Sequence, residues 1–343
     1  MHVLIIGGTG FIGNHVLRHL HELGHDIALF HRGQTQTEPS SAVLHIYGDR
    51  SDLSSFANDF KRFSPDVVLD MIPFTQQDAV TLMSTFRGVA RRVVAISSMD
   101  VYRAYGLFRR IEVGEPQPVP FDEDAPLRGI LFPYRNLAHS ADDILYDYDK
   151  ILVERVVMSE KGLPGTVLRL PCVYGVGDKY HRTLEYIKRM DDGRPAIIFS
   201  EGKGQWRWTR GYVENVAEAI MLAVTREESA NRIYNVGEAE AMTEAEWVLE
   251  IGRAAGWNGE VNTASADMLP KHLVEDYDYR HNLAADTRRI RRELGYGEPV
   301  SREEGLKRTV AWERRAGTKE VSAEQFDYAA EDVALTKIRR QRR

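Results

Sequence analysis

A phenol, an ammonium and a serine hydroxyl are the side chains of this sequence best suited to move a proton at an alcohol or a carbonyl. In Tyr146-Asp147-Tyr148-Asp149-Lys150 the tyrosine and lysine stand four residues apart, which on a continuous helix places both on one face, a turn from each other. A free phenol, with a pKa of about 10, is a poor base at neutral pH; a neighbouring ammonium favours the phenolate and lowers that value. The same spacing also suits an exposed helix face, so the surrounding elements decide. Ser97-Ser98-Met99-Asp100-Val101-Tyr102 follows the apolar run Arg92-Val93-Val94-Ala95-Ile96, and a serine at such a strand end can hydrogen-bond a substrate oxygen.

The element that would supply a partner for this chemistry opens the chain. His2-Val3-Leu4-Ile5-Ile6 reads as a buried strand entering Gly7-Gly8-Thr9-Gly10-Phe11-Ile12-Gly13 and then a helix, the order of a dinucleotide-binding turn. Gly7 suits the tight turn, Gly10 the close approach of a pyrophosphate, and Gly13 the packing of helix on strand. Thr9, Phe11 and Ile12 complete the segment expected to hold the cofactor, with the helix N–H groups and dipole facing the phosphates. At the end of the second strand, where a carboxylate would accept from a ribose 2′-hydroxyl, stand His31 and Arg32. A guanidinium there points to NADP, with NAD as the alternative; Arg32 could instead stack on adenine or face water.

Expected strands at 2–6, 26–30, 43–47, 66–71, 92–97 and 165–170 alternate with helices near 11–23, 52–63, 76–87 and 140–160. This alternation predicts an α/β fold, a doubly wound parallel Rossmann sheet with a smaller C-terminal substrate-binding lobe. The expected division is a cofactor domain over 1–175, continued by 205–236, a lobe from 176–204 and 237–316, and a polar, basic tail over 317–343 that is solvated. Between Tyr102 and His139 lie five of the thirteen prolines, the composition of a long loop, more often a functional lid than filler.

Composition sets outer limits. With 343 residues, 43% apolar and 28% charged, the chain can bury a large core. A net charge of −6 disfavours a protein that coats nucleic acid, and no apolar run is long enough for a bilayer. One cysteine, Cys172, forms no internal disulfide, and the first strand starts at once; both fit a cytoplasmic protein. His21-Glu22-Leu23-Gly24-His25 matches a zinc-protease string, but Gly24 stops the helix that the string needs, so no metal site is expected.

Taken together, the glycine turn, Ser97–Tyr102, Pro120–Leu127, Tyr146…Lys150, Leu168–Gly175 and Tyr212–Ile220 resemble an extended short-chain dehydrogenase/reductase of the nucleotide-sugar epimerase/dehydratase type. The resemblance implies an NAD(P)-dependent enzyme with Ser98, Tyr146 and Lys150 as its triad. Tyr146 would exchange a proton while hydride moves to or from the nicotinamide, Ser98 would orient the oxygen, and Lys150 would hold the nicotinamide ribose. It also implies an adenine contact from Asp49, whose other reading is a helix cap, a substrate phosphate site at Arg207 or Arg210, and a homodimer through the Tyr146–Lys150 helix and the helix near 76–87. Two departures stand out. Cys172 occupies the position where many relatives carry a substrate-binding asparagine, and Met99-Asp100 replaces the dehydratase Asp-Glu pair, leaving Asp100 as an auxiliary acid or a turn residue. Tyr146 lies 48 positions after Ser98, longer than usual, so residues near 128–142 look inserted at the substrate entrance.

Two functions follow. One is hydride transfer between a nicotinamide and a secondary alcohol or ketone, with a sugar nucleotide as candidate substrate. The other is a Rossmann protein that binds RNA or cofactor without turnover, since Phe30–Thr35 and Gly48-Asp49-Arg50 resemble atypical chloroplast relatives; against it stand the intact Tyr/Lys spacing and the mild negative charge.

Overall fold

A computed structural model describes residues 1–35, 43–316 and 323–341. Short apolar runs pair into a parallel sheet because each is buried on both faces by helices. Its strands are β1 (His2–Ile6), β2 (Asp26–His31), β3 (Leu44–Tyr47), β4 (Val67–Asp70), β5 (Arg92–Ser98) and β6 (Gly165–Leu170). After two short strands, β7 (Cys172–Tyr174) and β8 (Ala196–Ser200), come β9 (Arg210–Tyr212), β10 (Arg232–Asn235) and β11 (Glu260–Ala264). Among the described residues seven strands form one sheet in the order β10-β6-β5-β4-β1-β2-β3, every pair parallel. The order reverses beside β1, so the carboxyl ends of β1, β4 and β5 open on one crevice. On one face of the sheet the helices Phe11–Glu22 and Val213–Thr225 pack together; on the other, Gln76–Phe86 lies against Lys150–Ser159.

The expected strands and the doubly wound class stand. The parallel pairs β7–β9 and β8–β11 lie outside the main sheet.

Two expectations are corrected. The helix expected over 140–160 is broken: Ile144–Asp147 forms a short helix, Tyr148 and Asp149 are extended, and a second helix runs from Lys150 to Ser159. The break follows from Asp149, whose carboxylate caps the second helix by accepting from the Ile151 N–H at 2.9 Å, a role that needs a non-helical backbone. The C-terminal segment is no solvated tail within the described residues. Tyr328–Gln341 is a helix whose Glu331, Ala334, Leu335 and Ile338 recur at helical spacing and are buried. Leu335 and Ile338 pack with Ala196 and Ile198 of β8, Ala264 of β11, and Leu269. Glu331 meets Arg189 at 2.8 Å, both buried. Residues 317–322 of that segment, and Arg342 and Arg343 of the basic run, lie outside the described residues.

Candidate active site

The glycine turn has the shape that a pyrophosphate needs. Gly7 adopts φ +76°, and a Cβ there would meet the Ile72 side chain at 2.6 Å. A Cβ on Gly13 would fall 2.4 Å from the Gly8 carbonyl, so helix and turn touch through that glycine. Gly10 has nothing within 4 Å of its Cβ position and ends the turn at the helix without a side-chain cap, leaving the first N–H groups free for an anion. Gly7, Gly10, Phe11, Ile12 and Gly13 line a cavity of about 350 Å³ together with Ile96, Ser97, Ser98, Phe74 and Lys150. Thr9 is half-buried at the turn.

At the end of β2, His31 Nε2 lies 2.8 Å from His45 Nδ1, and burial lowers the His31 pKa. Arg32 is exposed, and its charge helps hold the Asp49 carboxyl below its usual range, after the Ser51 hydrogen bonds. Asp49 caps the turn Arg50–Phe56, accepting from the Ser51 N–H at 2.9 Å and from its hydroxyl. The cap reading of Asp49 is therefore realised in the structure.

Lys150 sits under the crevice, 3% exposed. Its Nζ donates to the Pro73 carbonyl at 2.8 Å and the Ile96 carbonyl at 2.9 Å, and lies 4.7 Å from the centre of the Phe74 ring. An ammonium has three donors, so one is left for a ligand. Burial pushes its pKa down to about 8, opposed by Asp100 and Asp70. The Ser98 hydroxyl lines the same cavity and accepts from the Asp100 N–H at 3.2 Å. Ser97 turns the other way and donates to buried Glu154 at 2.6 Å. Glu154 pairs with Arg169 of β6 at 2.7 Å, and Arg169 donates to the Tyr102 hydroxyl at 2.8 Å, so the end of β5 is fixed to its neighbour.

Tyr146 does not join Lys150 on a helix face. It stands before the break at Tyr148–Asp149, 36% exposed, with the Arg135 guanidinium 4.6 Å from its ring centre and Arg135 Nε donating to its carbonyl. The phenol brought inward is Tyr148, two residues later, whose hydroxyl donates to Asp100 Oδ2 at 2.9 Å. Asp100 is buried, with its carboxyl pKa raised by desolvation against the pull of Arg128.

A second cavity, of about 280 Å³, adjoins the first through Arg182, which lines both. Its walls are aromatic: Phe108 stacks on Trp206 at 4.7 Å and on Tyr277 at 4.6 Å, with Tyr105, Trp208 and Tyr279 around them. Cys172 and Arg210 both face this space. Burial lifts the Cys172 thiol to about 11, so it is no thiolate nucleophile at neutral pH. Arg210 is paired with Glu244, and Lys203 with Glu275 at 2.8 Å. Arg207 points away, donating to the Ala241 carbonyl at 2.9 Å on the exposed side. The histidine string has no shared helix face, because the first helix ends at Glu22 and Gly24 takes φ +75°.

Residues 3–237 match the model of the NAD dependent epimerase/dehydratase family. The chain belongs to that family. As a member of the epimerase/dehydratase family it is 25% identical to the dTDP-glucose 4,6-dehydratase of Salmonella typhimurium, over 91% of this chain and 92% of that protein. Likeness to y4nL of Sinorhizobium fredii, 26% identical, takes in 49% of this chain and 53% of that one. The chloroplast stem-loop binding protein of 41 kDa b from Arabidopsis thaliana is 24% identical over 70% of this chain and 60% of its own length. Among solved structures, MoeE5 in complex with UDP-glucose and NAD shares the fold, with a TM-score of 0.66 and 22% identity over 92% of this chain and 99% of that one.

Several residues around these cavities were not marked by the sequence reasoning. Tyr148 was hidden by the family spacing that favours Tyr146. Glu154 follows Lys150 by one helical turn, a signal available in the sequence. Tyr134 comes from the inserted loop and Tyr105 from the helix Arg103–Phe108, and no local pattern marks either.

Proposed function

We propose that this protein is an NAD(P)-dependent oxidoreductase or epimerase that moves a hydride between a nicotinamide and a secondary alcohol or ketone of a sugar nucleotide. The observation that carries the reading is one crevice holding the glycine turn, the Ser98 hydroxyl and the spare donor of Lys150. The cofactor supplies the hydride acceptor or donor. The chain's residues do the rest: the helix after Gly10 binds the pyrophosphate, Lys150 holds a ribose hydroxyl, and Ser98 orients the substrate oxygen. Arg32, exposed just after β2, supports NADP as the preferred form. The aromatic cavity beside Arg182 is the candidate substrate site, with Cys172 and Arg210 in its wall. Sugar rings and nucleobases stack on such walls. The homodimer that the resemblance implies would form through the face of the helices Gln76–Phe86 and Lys150–Ser159.

A second reading, a cofactor-holding protein without turnover, draws on the outward Tyr146 and on the likeness to the chloroplast stem-loop binding protein. Incubation with NAD or NADP and a panel of UDP- and dTDP-sugars separates the two. Reduced cofactor, or a sugar inverted at one carbon, supports the enzyme, and Ser98→Ala should slow that reaction by roughly 100-fold. An unchanged sugar and cofactor together with salt-dependent RNA binding would replace it with the second reading.

A further inference from the structure

The inserted loop brings the Tyr134 phenol into line with a buried carboxylate. Asp100 Oδ2 lies 2.9 Å from the Tyr134 hydroxyl and 2.9 Å from that of Tyr148, and Oδ1 has no hydrogen-bond partner among the described residues. Tyr134 also lies 2.9 Å from the Tyr105 hydroxyl, and Tyr105 forms part of the aromatic cavity wall. An ionised carboxylate only accepts, so Tyr134 donates to Asp100 and Tyr105 donates to Tyr134. The order runs from cavity to carboxylate: Tyr105, Tyr134, Asp100.

The loop is built to hold this line. Arg128 Nε donates to the Asp100 carbonyl at 2.6 Å and its Nη1 to the Ile130 carbonyl at 2.7 Å. Asp149 accepts from the Phe132 N–H at 2.6 Å, and Glu112 from the Gly129 and Ile130 N–H groups at 2.7 and 2.9 Å. These contacts bracket Tyr134 on its N-terminal side; on its C-terminal side Arg135 is tied to the Tyr146 carbonyl at 2.8 Å.

We propose that Tyr105, Tyr134 and Asp100 form a proton path that carries the substrate hydroxyl's proton from the aromatic cavity to a buried carboxylate, in the place the spacing argument gave to Tyr146. The path rests on the hydride-transfer reading above. In the oxidation direction the substrate O–H bond breaks and its proton passes to Tyr105 as the Tyr105 proton passes to Tyr134 and the Tyr134 proton to Asp100, which ends as a carboxylic acid. The carbinol C–H electron pair leaves as hydride to a nicotinamide, and the C=O bond forms. Reduction runs the same transfers backwards. Groups facing Asp100 are Arg128 and Tyr134 from the loop, Tyr105 from the helix Arg103–Phe108, and Tyr148 and Lys150 beyond the loop. Burial raises the carboxyl, so Asp100 suits the role of proton store, and it raises the phenols too, so they act as neutral relays.

Ring-carbon NMR of tyrosine-labelled full-length protein, titrated with pH and assigned through Tyr→Phe variants, tests the path. Tyr105 makes no hydrogen bond to Asp100 but feels its charge, so its resonance should move together with that of Tyr148 as Asp100 ionises. Tyr134→Phe should cut the Tyr105 response to that through-space part and leave that of Tyr148; Asp100→Asn should abolish both. A Tyr105 signal that stays still in the wild type, or whose response is undiminished in Tyr134→Phe, overturns the path. NADH binding followed by fluorescence should be unchanged in Tyr134→Phe. Failure of the wild type to bind NADH would remove the hydride reading while leaving the Tyr105 coupling to be judged on its own.

Discussion

At the residue scale two of the four glycines of the turn, Gly10 and Gly13, lead to opposite predictions. Gly10 has an extended backbone, φ −92°, and open space where a Cβ would stand, so Gly10→Val should fold normally and lose dinucleotide binding. Gly13→Val drives a side chain into the Gly8 carbonyl and should cost about 2 kcal/mol of stability or more, read by urea unfolding. Lys150 adds a pH dependence. Its folded-state value near 8 lies below the ordinary 10.5, so below about 8 both folded and unfolded chains carry the proton and the full burial penalty applies. Between about 8 and 10.5 the unfolded chain binds more protons, and stability rises with pH. Cofactor affinity moves the other way, falling as pH rises through about 8 and the ammonium is lost; Lys150→Met should flatten both profiles, measured by denaturation and by NADH fluorescence. The placement of the glycines, Ser98 and Lys150 around one crevice was legible in the sequence because it is set by a tight turn and by strand and helix ends. Tyr148 was not, because the choice between it and Tyr146 depends on where a helix starts, and one capping aspartate decides that.

At the scale of elements, the break at Tyr148–Asp149 and the inserted loop are one feature. Arg128 and Phe132 bind the Asp149 carboxylate, and Asp149 then caps the helix that begins with Lys150. Asp149→Ala would leave the buried Arg128 guanidinium without its anion, at a cost of about 3 kcal/mol, and should free the loop, seen as faster amide exchange over residues 128–135. The C-terminal helix Tyr328–Gln341 is equally structural. Leu335→Ala should destabilise the protein by about 2–5 kcal/mol through the cavity left against β8 and β11. A solvated tail would instead tolerate the change. Polar composition misled there: four buried positions at helical spacing suffice to dock a helix whose other faces are charged. Strands β1 to β6, by contrast, were readable from apolar runs alone, since a strand covered on both faces leaves little room for polar residues.

Across the whole molecule, a parallel sheet whose strand order reverses beside β1 places the glycine turn, Ser98 and Lys150 around one crevice, and an aromatic cavity adjoins it through Arg182. No described helix is long and apolar enough to cross a membrane. The topology was legible because alternating strands and helices admit few arrangements; the pairing of β8 with β11 was not, since the two strands come from distant segments. A ligand in the crevice must stabilise the fold by mass action, by about 2.7 kcal/mol at roughly 100 times its Kd, which chemical denaturation with and without cofactor would read. The most direct measurement is calorimetric titration of the wild type and Gly10→Val with NAD and NADP. The wild type should bind one dinucleotide per chain, with NADP the tighter, and the folded Gly10→Val variant should bind neither. Absence of binding by the wild type to both forms, or undiminished binding by Gly10→Val, would contradict the cofactor crevice on which the function rests.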